Sequence, residues 1–199
     1  MKAEIRADGL HISGYVNVPG RESRPVITAH GRVNEVIEQR AFQRAIDKAG
    51  NVDLKLDHER TVASTREGTL TVYEDAVGLR AEALVTDDEV VAGARAGKLR
   101  GWSFDMRNVV DSVEERAGKL PLRVIKNFIM TEVTLAMRRN PLYASTSIEL
   151  RAGEEGDETV EQRGSEDAIS VTDDAKGPDV DYTGYESKIQ KIKERVDGK

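Results

Sequence analysis

The stretch "NVDLKLDHERTVAST", residues 51–65, decides how this chain is read, because an alternating apolar run ends there on a histidine. Val52, Leu54 and Leu56 share one face of a strand, and the same period of two carries His58 onto that face, so the imidazole is expected to point inward or at a cleft wall. Glu59, Arg60 and a Ser/Thr-rich run come next, so the strand should end where a loop opens the core. A histidine in that place suits proton transfer if a partner stands beside it. Without a partner it is a half-buried structural histidine.

The elements on either side make a β-rich frame. Before the stretch, "LHISGYVNV" alternates Leu10, Ile12 and Val16 with Gly14 in phase, a strand with a bulge or a close backbone approach. "RAFQRAIDKAG" then puts Phe42, Ala45, Ile46 and Ala49 on one helical face, with Gly50 as its C-terminal cap. After it, "GTLTVYEDAVGLRAEALV" reads as a β-hairpin turning at Asp75 to Gly78. Thr86 and Glu89 form a capping box for a helix through Val90, Val91 and Ala94 that stops at Gly97. In "KLRGWSFDMR", Trp102, Phe104 and Met106 alternate, which leaves Ser103 on the opposite face among bulky neighbours. A strand serine is inert unless a base lies beside it. Finally, "LRVIKNFIMTEVTLAMRRNPLYAS" supplies one or two strands, with Val133, Leu135 and Met137 on one face and Glu132, Thr134 and Ala136 on the other, broken at Asn140-Pro141.

Composition excludes several chemistries. With 199 residues the chain can bury a full core, and with no cysteine it has no disulfide, thiolate metal site or cysteine nucleophile. No apolar run approaches the ~18 residues of a membrane helix, and the start of the chain is charged, so a soluble protein is expected. The net charge of −6 lies entirely in residues 151–199, which hold 14 acidic and 8 basic residues. Residues 1–150 are therefore neutral, with one Trp and no basic stripe, and offer no footprint for a phosphate backbone. His11, His30 and His58 lack ligand-like spacing, which argues against a metal hydrolase, and no cofactor is expected. Three segments result: a domain over residues 1–150, an acidic, Gly-interrupted linker over 151–185 too poor in apolar residues to fold, and a short basic amphipathic helix over 186–199 built on Ile189, Ile192 and Val196. The last segment reads either as a frayed end or as a docking peptide.

The succession "GYVNV", "LDHE", "TLTVYEDAVGLRAEALV", "GKLRGWSFDM", "TEVTLAMRRNPLYAS" resembles the prohead (procapsid maturation) protease of tailed phages over roughly Ile12 to Ile148. That family is similar in fold and chain order to the herpesvirus assemblins, serine proteases built on a small β-barrel with surrounding helices. The resemblance thus implies an α+β, β-rich fold around such a barrel. It places the catalytic histidine on His58 and the nucleophile on Ser103. The family's acidic residue in an L-x-E-V-S strand falls on Glu132, with Asp105 as the runner-up and Glu59 and Asp57 behind it. Assemblins carry an arginine pair shortly after the third catalytic residue, so Arg138 and Arg139 become candidates for stabilising an oxyanion, or else are solvated cations at a strand end.

The implied activity is a serine endopeptidase that trims the scaffold-like segment of the major capsid protein, and itself, inside the immature shell in the host bacterial cytoplasm. Its partners would be that capsid protein, further copies of itself and the portal, with no nucleic acid and no membrane. One departure bears on activity: where the family often has Ser-Phe-Gly-Phe, this chain has Asp105 two residues past Ser103, and a carboxylate beside a developing oxyanion would slow the reaction. "NPLYAS" also replaces a commoner Pro-Ala-Tyr pattern. The alternative is therefore an inactive homologue that organises capsid subunits.

Overall fold

A computed structural model describes residues 1–29, 31–138, 160–165 and 168–175. Two sheets make up the body. The first has the order β13-β1-β2-β8-β7, from β1 (Lys2–Arg6), β2 (Gly9–Asn17), β7 (Leu70–Glu74), β8 (Leu79–Val85) and β13 (Ser170–Asp173). The second runs β3-β4-β10-β9-β11-β5-β6, from β3 (Val26–Thr28), β4 (Gly31–Ile37), β5 (Asp53–Leu56), β6 (Arg60–Ser64), β9 (Gly101–Glu114), β10 (Leu122–Ile129) and β11 (Glu132–Ala136), with β12 (Val160–Ser165) added to β9. The β-rich α+β class agrees with the sequence reading. The barrel does not: among the described residues the strands form two open sheets, because β7 and β13 end the first and β3 and β6 the second without pairing to each other.

The core follows the alternation. Leu10, Ile12 and Val16 on β2, Leu54 and Leu56 on β5, and Trp102, Phe104 and Met106 on β9 are all buried. Gly14 serves the close approach its phase suggests: a Cβ there would lie 2.9 Å from Trp102 Nε1, so the bare backbone makes room for the indole. Helix α1 (Ala41–Ala49) ends on Gly50 at φ 66° and buries Ala41, Phe42 and Ala45. Phe42 meets Phe104 and Phe128 edge to face at 5.1 and 5.4 Å, tying the helix to the strand that carries Ser103. The second helix, α2 (Asp88–Arg95), is capped by Asp87, whose carboxylate accepts from the amides of Glu89 and Val90, and not by Thr86. An acidic side chain one position later is the better acceptor for those amides and also favours the positive end of the helix.

The acidic segment after residue 150 departs further from expectation. Val160–Ser165 pairs antiparallel with β9, and Ser170–Asp173 pairs parallel with β1, so parts of the expected linker are strands. Composition missed them because a single strand added to an existing sheet borrows its partner's backbone groups and needs no core of its own. The amphipathic helix expected over 186–199 lies outside the described residues.

Replacing Phe42 with Ala should remove the aromatic contacts between α1 and the β9 and β10 side chains and lower unfolding free energy by about 3–5 kcal/mol, read from urea denaturation.

Candidate active site

Strand β11 organises the site. It lies between β9, with which it runs antiparallel, and β5, with which it runs parallel, and Thr134 stands opposite both Ser103 and Lys55. Glu132, two residues earlier, shares the face of Thr134. Both are buried, as is Ser103 at 3% exposure. One face across three strands thus holds the hydroxyls of Ser103 and Thr134, the carboxylate of Glu132 and the ammonium of Lys55.

His58 reaches that face by a route the period of two does not describe. β5 stops at Leu56, and the amide of Glu59 donates to the carbonyl of Leu56 at 2.9 Å, closing a turn over Asp57 and His58. Both central residues have positive φ, 50° and 65°, as a type I′ hairpin turn requires. Left-handed backbone costs a non-glycine residue roughly 1–2 kcal/mol. Asp57 offsets this: its carboxylate accepts from the amides of Met137 at 2.8 Å and Arg138 at 3.1 Å, while its own amide donates to Leu135 at 2.9 Å. The turn is therefore pinned to the end of β11, the strand that carries Glu132.

The three candidate residues meet. His58 Nε2 lies 2.9 Å from Ser103 Oγ, and His58 Nδ1 lies 2.5 Å from Glu132 Oε1. Thr134 Oγ1 stands 3.2 Å from Nδ1, and Lys55 Nζ pairs with the other oxygen of Glu132. A carboxylate can only accept, so Nδ1 carries the proton on that side and Nε2 is left to face the serine. Ser103 Oγ also lies 2.7 Å from the carbonyl oxygen of Arg163 on β12, to which it donates. The hydroxyl has one proton for two acceptors. While the hydroxyl donates to Arg163 it can only accept from a protonated Nε2; when Nε2 is bare, the hydroxyl turns from Arg163 and donates to the histidine. Such a chain can pass a proton between serine and imidazole while a carboxylate holds the ring.

The charges around Glu132 decide its ionisation. Burial alone would raise its carboxyl, but the hydrogen bonds and charges of His58 and Lys55 outweigh burial and hold it below the ordinary carboxylate range. Asp105 goes the other way, raised by burial and then by the neighbouring Glu132, against hydrogen bonds from Arg107 and two backbone amides. Those two amides belong to Thr131 at 3.1 Å and Glu132 at 3.0 Å, and the hydroxyl of Thr131 adds a third donor at 3.1 Å. β10 and β11 follow one edge of β9 in nearly continuous register, and Asp105 bridges the break between them. Its carboxylate is thus engaged by the backbone that carries Glu132.

Arg138 is elsewhere. Its guanidinium pairs with Glu59 at 3.3 Å and Glu89 at 2.6 Å on the surface, and Arg139 lies outside the described residues. Sequence reasoning missed Lys55, although its place one residue from Leu56 and across from Thr134 gives it the face opposite the core, and it missed Asp57 as the pin of the turn. Among the described residues no group of His, Asp and Glu is arranged to hold a metal, and no helix is long and apolar enough to cross a membrane.

Because the folded-state value of Glu132 is lowered, its ionisation favours the folded state fully above the ordinary carboxylate value, about 4.3, and that contribution disappears as pH falls through the lowered value. The stability margin of the native chain over Glu132→Gln should accordingly shrink between about pH 6 and pH 3, followed by thermal melts at constant ionic strength. Asp57→Ala should cost about 1–3 kcal/mol through its lost bonds to the end of β11, with Asp57→Asn retaining part of this, both read by urea denaturation.

No match was found among curated proteins or solved structures. A family model does match, over residues 1–161, a span that takes in His58, Ser103 and Glu132 with every strand from β1 to β11. By that match the chain belongs to the caudovirus prohead serine protease family.

Proposed function

We propose that the protein is a serine endopeptidase of phage capsid maturation, with Ser103 as nucleophile, His58 as general base and then general acid, and Glu132 holding the imidazole. One observation carries the reading: a buried serine, an imidazole and a carboxylate in an unbroken hydrogen-bonded chain, with distances of 2.9 and 2.5 Å. A structural histidine needs only one partner, whereas this one spans two groups that come from different strands.

In the reaction Ser103 Oγ attacks a peptide carbonyl as His58 Nε2 takes its proton, and the same proton passes to the departing amine. Glu132, kept ionised by Lys55, stabilises the imidazolium formed in between. Water then releases the acyl group by the reverse sequence, leaving Ser103 and His58 as they began. Thr134 lies near enough to Nδ1, at 3.2 Å, to limit the ring's rotation. The substrate would be the scaffold-like segment of the major capsid protein, along with the chain's own tail, within the immature shell in the host bacterial cytoplasm. Family membership supports the capsid-processing role. For oxyanion stabilisation, Arg139 is the remaining member of the arginine pair, since Arg138 is committed to Glu59 and Glu89.

The test is an intact-mass time course of the purified chain, alone and with assembled shells of its capsid protein, for wild type, Ser103→Ala and His58→Ala. Wild type should process one or both, and each substitution should slow cleavage by on the order of 10⁴-fold or more. Equal processing by Ser103→Ala would exclude the serine mechanism.

A further inference from the structure

Strand β12 lies along the strand that carries Ser103. It runs antiparallel along β9 from Val160 opposite Arg107 to Ser165 opposite Trp102, and Gly164 stands opposite Ser103. The other edge of β9 is occupied by β11 and β10. Without β12, residues 102–107 of β9 would present an unpaired edge beside the nucleophile, the kind of edge that binds extended peptides. The chain fills it with its own residues.

The fit extends to side chains and to the reacting bond. Ser103 Oγ is 2.7 Å from the carbonyl oxygen of Arg163. A carbonyl bond is about 1.2 Å long, so the carbonyl carbon is no more than about 4 Å from the hydroxyl, and attack requires the hydroxyl to give up this hydrogen bond, turn its proton to His58 and move over the carbon. Arg163 is 5% exposed and its side chain enters a charged pocket. Its Nε and Nη2 donate to the two oxygens of Glu35 on β4 at 2.7 and 2.8 Å. Glu161, two residues earlier and on the same face, accepts from both terminal nitrogens of Arg123 on β10, at 2.6 and 2.8 Å. Arg123 also donates to Glu35 at 2.9 Å, which joins the two subsites.

We infer that residues 160–165 are an internal substrate strand whose Arg163–Gly164 bond is presented to Ser103, and that Glu35 and Arg123 select peptides with arginine at the cut and a carboxylate two residues before it. The inference rests on the endopeptidase reading and gives it a substrate class. The bidentate pair with Glu35 favours arginine over lysine, because only guanidinium matches both carboxylate oxygens. Arg123 rejects a lysine or arginine at the earlier position by charge. A neutral residue there would remove the bidentate partner of Arg123 and leave its pairs with Glu35 and Asp111.

In the cut, Ser103 Oγ bonds to the Arg163 carbonyl carbon while its proton goes to His58. The Arg163–Gly164 bond breaks, and the Gly164 nitrogen takes that proton. The Gly164 amine leaves at that point, and water then hydrolyses the ester, with His58 as base, freeing a carboxylate at Arg163 and restoring the Ser103 hydroxyl. Until that strand has left, Ser103 is buried beneath it, so self-cleavage or strand release precedes the processing of any other chain.

The test uses the full-length chain, with intact mass and N-terminal sequencing of the products for wild type, Ser103→Ala, Arg163→Gln, Arg163→Lys and Glu35→Gln. Wild type should yield a new terminus at Gly164 and Ser103→Ala should not. Arg163→Gln and Glu35→Gln should each slow this cut by roughly 100-fold or more, with Arg163→Lys between them and wild type. Arg163→Gln lies in the substrate strand, so it tests recognition even if Glu35→Gln weakens the fold. Undiminished cutting of the same bond in the Arg163→Gln variant would overturn the pocket's role. Ser103-dependent processing of the capsid protein that leaves the Arg163–Gly164 bond intact would overturn the internal substrate and keep the endopeptidase. Absence of any Ser103-dependent cleavage would remove both.

Discussion

The register of β11 between β9 and β5 is the constraint on which the site depends. Because Thr134 faces Ser103 on one side and Lys55 on the other, Glu132 falls on the face from which both His58 and Lys55 can reach it. A slip of one residue would turn Glu132 and Thr134 away and bring Val133 and Leu135 in their place. Both faces of β11 are buried, so such a slip would also put a carboxylate into the apolar core. The core and the site therefore specify the same register.

Two carboxylates defend it. Asp57 binds the amides at the end of β11, and Asp105 binds those at its start. Their work is on the backbone rather than on the nucleophile, and between them they fix both ends of the strand that carries Glu132. Burying such charges is costly, and each is compensated by at least two backbone donors, as buried ions must be. The left-handed turn at His58 follows the same logic: it is held because Asp57 ties it to a strand that packing has already positioned.

Much of this was legible in residue order and much was not. Alternation marked the strands bearing Ser103 and Glu132, and the motifs around His58 and Ser103 carried the family. The period-two argument brought His58 to the right neighbourhood for an incorrect reason, since the strand ends two residues earlier and the turn does the aiming. Turns of this kind favour Asn, Asp and Gly, and a histidine in the second place gave no local signal. For Asp105, sequence shows that it shares a face with Ser103 but not that two amides on a neighbouring strand bind its carboxylate. β12 was hidden for a different reason. Composition measures what a segment can bury alone, and this strand is stabilised by an edge that other residues leave open.

The chemistry of the β12 contact also explains its composition. Glu35, Arg123, Glu161 and Arg163 form a buried network, with half-buried Asp111 at its edge, in which Arg123 and Arg163 each bridge carboxylates. A permanent core contact would be more stable if built from apolar residues, because charge burial returns little net energy. A strand that must leave has the opposite requirement. Water can solvate Glu161 and Arg163 once they are released, whereas exposed leucines would favour return of the strand. What stays behind is Glu35 still paired with Arg123, so the vacated pocket keeps one bond of its own while presenting a carboxylate to the next arginine. An ionic grip thus gives selectivity for the arriving strand while leaving both partners groups that water or each other can satisfy once the strand has gone.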